Sequence, residues 1–157
     1  MTPRAYAERT DVSVERSKGD LERLLTAHGA TGFMYAVQEG QAVIVFEARS
    51  RRVRFDLPLP AMKDEAVRYS HGGARERSAQ AAREALAQVT RARWRALVLV
   101  VKAKLESVQL GITGFEEEFL AQTVLPDGQT AGQWMLPQIA AAYDSGRMPP
   151  MLPGPKG

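Results

Sequence analysis

From Phe33 to Leu59 the chain alternates apolar and polar residues in three successive runs, and a segment of period two has to bury one face against something. Phe33, Tyr35 and Val37 form the first run, and Ala42, Ile44, Phe46 and Ala48 form the second, with Glu39-Gly40 as the turn between them. After Ser50, Val53, Phe55, Leu57 and Leu59 share one face while Arg52, Arg54 and Asp56 share the other. Pro58 and Pro60 then end any central pairing. The pattern predicts three antiparallel strands, the third with an apolar face and a charged face.

Helical periodicity flanks these runs. Ser17 followed by Asp20 reads as a capping box opening a first helix, with Leu21, Leu24, Leu25 and His28 on one side and Gly29 as the stop. Ala61 to Ala74 mix charges with Gly72 and Gly73 and are expected to form a mobile, disordered connection. From Arg75 the chain is Ala-rich and helical. Trp94, Leu97, Val98, Val101, Leu105 and Val108 form a stripe that should pack on the strands. Leu86 and Val89 lie off that stripe, which predicts a bend or restart near Thr90. Thr113 to Glu116 and Thr130 to Gln133 read as capping boxes of two shorter helices, separated by the turn Leu125-Pro-Asp-Gly128. Gly146 ends the last helix.

The resulting order, α-β-β-β-α-α-α, is an α+β fold: a three-stranded antiparallel sheet preceded by one helix, covered by a long helix and followed by two shorter ones. Its 157 residues suit a single domain over 1–147, and the Pro-rich residues 148–157 read as an extended tail. The absence of Cys excludes disulfide and thiolate chemistry, and with no signal-peptide core or membrane-length apolar run the expected location is cytoplasmic, with no membrane partner.

Catalytic signatures are weak. His28 and His71 have no second His or carboxylate at ligand spacing, and Glu116, Glu117 and Glu118 radiate around a helix start, where acids already suit the dipole. There is no phosphate-cradling Gly motif and no GxSxG. No enzyme, metal or cofactor is expected.

Charge is the stronger signal. Glu47 to Lys104 carries 14 Lys/Arg against 6 Asp/Glu, whereas the segments before and after it are both net acidic, within a formal charge of only +3. Arg49, Arg51, Arg52 and Arg54 bracket the second strand turn, and Arg91, Arg95 and Lys102 form a row beside the Trp94 stripe, with Arg93 and Lys104 on its other flank. Guanidinium forks match phosphate oxygens while their stems cover apolar surface, so the first seven are the candidate nucleic-acid-binding residues. Ordinary solvated helices also carry basic rows beside a core stripe, with Glu47, Asp56 and Glu84 available as local partners. If about four to six of the seven neutralise phosphates, log affinity should fall with log salt at a slope of roughly −3 to −4. Phe33, Tyr35 and Tyr69 are the aromatic candidates for base stacking, although alternation places the first two in the core.

Several stretches, among them Ala42-Val-Ile-Val-Phe46, Arg52-Val-Arg-Phe-Asp-Leu-Pro-Leu-Pro60, Arg93 to Glu106 and Phe115 to Leu120, resemble a family of small phage and prophage proteins of unassigned function. In topology alone, three antiparallel strands followed by a long helix resemble the core of single-strand annealing proteins of the Rad-fifty-two type. That resemblance implies single-stranded DNA as partner and a homo-oligomer, as ring or filament. Gly72 to Leu86, after an α-β-β-β order, is similar to the start of the final helix of double-stranded-RNA-binding domains, with Arg75 and Arg77 standing where that family has successive lysines. The leading expectation is a non-enzymatic phage or mobile-element protein that binds single-stranded DNA in recombination or replication. From a different class, an inhibitor or adaptor would bind a host protein through the acidic C-terminal helices and the Pro/Met tail.

Overall fold

The computed structural model describes residues 10–148. The chain runs α1 (Val14–Ala27), β1 (Thr31–Gln38), β2 (Gln41–Ala48), β3 (Arg51–Pro58), α2 (Glu65–Arg68), α3 (Ala79–Gln109), α4 (Phe115–Glu118), a 3₁₀ turn (Leu120–Gln122) and α5 (Ala131–Ser145). The strands form one antiparallel sheet in the order β1-β2-β3, so the α+β class and the three-stranded meander follow the alternation of the sequence.

The inward face of the sheet carries Ala42, Ile44 and Phe46 from β2 and Val53, Phe55 and Leu57 from β3, all buried. Against it lies the α3 stripe of Trp94, Leu97, Val98, Val101 and Leu105, in one continuous core with Leu21 and Leu25 of α1. Contacts from Thr10 to Gln88, Asp20 to Arg95 and His28 to Gln109 advance together along the two helices, so α1 and α3 run parallel over one face of the sheet. Phe119 meets Phe46 and Phe55 edge-on at 6.2 and 6.3 Å and closes the core at one end.

Several element boundaries differ from the local sequence signals. Ser13, not Ser17, caps α1, its hydroxyl accepting from the Arg16 N–H at 3.2 Å. Ser17 is instead fully buried within the helix, while Asp20 turns to α3. Residues 61–74 are not a structureless connection. Val67 of α2 is fully buried, the Asp64 carboxylate accepts from the Ala61 N–H at 2.7 Å, and Arg77 donates to the Ala66 and Val67 carbonyls at 2.7 and 3.0 Å. The long helix begins at Ala79 behind the Ser78 cap and is uninterrupted through Thr90, whose hydroxyl donates to the Leu86 carbonyl. Leu86 and Val89 thus lie off the stripe without breaking the helix.

Gly114, not Thr113, precedes α4, and the Thr113 hydroxyl donates to the Glu118 carboxylate at 2.7 Å. That bond, and after it Lys104, holds the Glu118 carboxyl below its ordinary range. The Thr130–Gln133 capping box forms as expected, with bonds of 2.9 and 3.2 Å, and Gly146 ends α5 in the left-handed conformation. Met148 is exposed, and the rest of the Pro-rich tail lies outside the described residues.

The two sheet edges differ. Beside β3 the Val124 N–H donates to the Arg52 carbonyl at 2.8 Å and Thr123 bridges Val53, so the segment leading into α5 lies along that edge. β1 is the other edge, broken by a bulge between Thr31 and Met34 at which Gly32 takes a φ of 63°. At this edge the alternation overstates the core: Phe33 and Tyr35 are half-buried, and Val37 is 61% exposed.

Candidate nucleic-acid interface

β2 and β3 are joined by only two residues, Arg49 and Ser50, both with positive φ, 48° and 60°. Positive φ at both central positions is the type I′ geometry that matches strand twist, and it favours Asn-Gly because a Cβ there is crowded. Neither residue relieves that strain. Arg49 is held in place from outside the turn, its guanidinium lying 5.1 Å over the ring of buried Phe115.

Beyond the turn Arg51 and Arg52 open onto a cleft of about 660 Å³, whose far wall is the 124–128 loop. Among the described residues the Arg51 side chain donates only to the adjacent Ser50 carbonyl, at 3.2 Å. Arg52 stands directly across the ladder from Glu47 and pairs with it at 3.0 Å, both side chains being more than half exposed. Among the described residues Glu47 is the one acid lining the cleft, against Arg49, Arg51 and Arg52. The local field is therefore positive and the three forks keep free donors.

Arg54 has a different part. Its guanidinium donates to the Gly128 carbonyl at 3.0 Å and to the Gln133 amide oxygen at 2.9 Å, and it is ion-paired with Asp56 at 3.2 Å. Only 21% of its side chain is exposed. It fixes the loop that forms the far wall and the first turn of α5, and so shapes the cleft without facing it.

The α3 row is not joined to this cleft. Arg52 and Arg54 alternate with buried Val53 and Phe55 and point away from α1 and α3, which cover the inward face. On that far side Arg95 is paired with Asp20 at 2.8 Å, and Asp20 also pairs with Arg23. Arg95 first, and Arg23 second, hold the Asp20 carboxyl below its ordinary range. Arg91 donates to Gln88, and Lys102 is exposed with no ion pair among the described residues. On the other flank Lys104 is occupied by Glu118 at 3.3 Å, while Arg93 is exposed beside Pro58 and Pro60. Of the seven candidate cations, Arg49, Arg51 and Arg52 share one site, Arg54 supports it, and Arg91, Arg95 and Lys102 lie across the sheet.

The aromatic candidates stand apart as well. The Tyr35 ring lies 6.2 Å from Trp94, and burial, with the nearby Glu22 carboxylate second, pushes its hydroxyl well above the ordinary phenol range. Tyr69, with Arg68 over its ring, lines a separate cleft of about 510 Å³ with His71. Among the described residues no group of three or more acidic or His side chains is placed to hold a metal ion. No helix among them is long and apolar enough to cross a membrane.

The sequence shows the arginine-rich turn but not its conformation, since Arg-Ser carries no type I′ signature. Nothing in it links Arg95 to Asp20, 75 positions away. Compared with known proteins, the chain matches no family model, no curated protein and no solved structure.

Proposed function

We propose that the protein is a non-enzymatic nucleic-acid-binding protein of phage or mobile-element origin, gripping single-stranded DNA by its backbone during recombination or replication. One observation carries this reading: Arg49, Arg51 and Arg52 line an open cleft in which, among the described residues, Glu47 is the only acid. Phosphate oxygens are the acceptors that such forks match, and a contact of this kind reads charge and spacing, not base identity. A cleft on the edge of a sheet suits a strand whose phosphates pass singly. Binding of labelled single-stranded DNA, duplex DNA and duplex RNA, each at low and near-physiological salt, tests the reading and its strand preference. The duplex-RNA reading is less supported, because Arg75 and Arg77 precede the helix start and Arg77 is occupied by the Ala66 and Val67 carbonyls.

A second reading, an inhibitor or adaptor that binds a host protein, is favoured by a separate feature. α5 leaves Leu136, Ile139 and Tyr143 exposed by 66, 43 and 87%, on one side of the helix, next to a shallow cleft that Leu120 and Glu117 also line. Salt-dependent DNA binding that requires the cleft arginines supports the first reading. Its absence leaves the second.

A further inference from the structure

We propose that two copies of the protein pair through their β1 edges, antiparallel about a two-fold axis at Tyr35, and so form one continuous six-stranded sheet. Four observations meet at this edge. Thr31–Gln38 contains no charged residue and no Pro, the devices that usually keep an edge strand from pairing, and its bulge lies at one end only. Among the described residues no backbone–backbone hydrogen bond outside the β1–β2 ladder reaches β1, although alternate residues of an edge strand turn their N–H and C=O outward. Met34 and Val37, on opposite faces of this edge, are 64 and 61% exposed.

The fourth observation identifies the occupant. A two-fold at Tyr35 sets Phe33 against Val37 of the second copy on the inward face and Met34 against Ala36 on the outward face, with Gly32 against the uncharged Gln38 farther out, so the pairs flanking the axis are apolar and no like charges meet along the strand. The same axis makes α1 self-complementary. At 100° per residue Asp20, which pairs with α3, lies on one side of the buried Ser17-Leu21-Leu25 line, and Lys18 and Glu22 lie on the other, towards the β1 edge. Tyr35 sits between these two: the Lys18 ammonium is 5.8 Å from its ring and 4.9 Å from that of Trp94, and burial first, with the Glu22 carboxylate second, raises the Tyr35 hydroxyl pKa. An axis through Tyr35 therefore passes near position 20 of α1 and brings Lys18 of each copy to Glu22 of the other. This is a closed pair, unlike the ring or filament that the annealing resemblance implies, and it does not depend on DNA binding because the cleft arginines belong to the β2–β3 turn and β3, with only Thr31 at the far end of β1 bordering the cleft.

Light scattering during gel filtration of the full chain at micromolar concentration reads the pair directly. The expected mass is that of two chains. Lys18→Glu and Glu22→Lys alone should each weaken the pair about tenfold, since each sets like charges across the axis, and the double exchange should restore it. Val37→Lys tests the strand without touching the core and should give a monomer whose circular dichroism is unchanged. A wild-type mass of one chain, a pair indifferent to Val37→Lys, or an exchange that fails to restore what the single changes lose would each overturn the proposal.

Discussion

Arg54 and Ser17 show how far a residue's part can lie from its type. Arg54 stands in an arginine run on a charged strand face, and alternation places it outward correctly, yet its fork is spent on the Gly128 carbonyl and Gln133. Arg54→Ala should cost about 1–3 kcal/mol, as expected when a partly buried charged donor leaves its acceptors unpaired, whereas Arg51→Ala should change stability by less than about 0.5 kcal/mol. Urea denaturation of the two variants measures the difference. Ser17 is fully buried, and its hydroxyl has no hydrogen-bond partner among the described residues. Ser17→Ala keeps the packing, removes an unsatisfied group and improves helix propensity, so it should raise stability by about 0.5–1.5 kcal/mol in the same assay. A loss of stability would mean that the hydroxyl is bonded. Neither role is legible locally: Gly128 and Gln133 are 74 and 79 positions from Arg54, and a Ser three residues before Asp20 looks the same whether it caps a helix or lies inside one.

Elements were more legible than their ends. Three strands, the long helix and the α5 capping box follow from periods of two and 3.6 and from side chains that bond their own backbone, which are local properties. The first helix start and the order of 61–74 were not, because Ser13 competes with Ser17 as a cap and α2 is held by Val67 burial and the Arg77 clamp, which are tertiary. The pairing of the α3 stripe with the sheet gives a direct check. Leu97→Ala should destabilise by about 2–5 kcal/mol, since Leu97 is buried in the common core. An unchanged melting temperature would mean that the stripe does not pack there. The β2–β3 turn gives another. Ser50→Gly relieves one positive φ without touching an arginine, so it should stabilise by about 1 kcal/mol and leave nucleic-acid affinity unchanged. Thermal melts and binding titrations on one preparation check both halves of that statement.

At the scale of the whole molecule, the basic middle third was the clearest sequence signal, and the fold divides it. The sheet stands between the cleft arginines and Arg91, Arg95 and Lys102, because α3 crosses the inward face while the β2–β3 arginines project from the turn and the outward face. Sequence could place each cation on a helix or strand but not on a common surface, since that depends on which face the long helix covers. With three arginines at the cleft instead of seven along a groove, the expected dependence of log affinity on log salt for single-stranded DNA falls to a slope of about −2. The most direct measurement is an anisotropy titration of labelled single-stranded DNA across salt concentrations, comparing wild type, the triple change of Arg49, Arg51 and Arg52 to Ala, and the double change of Arg91 and Lys102 to Ala. The expected result is salt-dependent binding that the triple change removes for every sequence and the double change leaves nearly intact. Absence of binding at low salt, or binding that survives the triple change and is lost in the double, would contradict it.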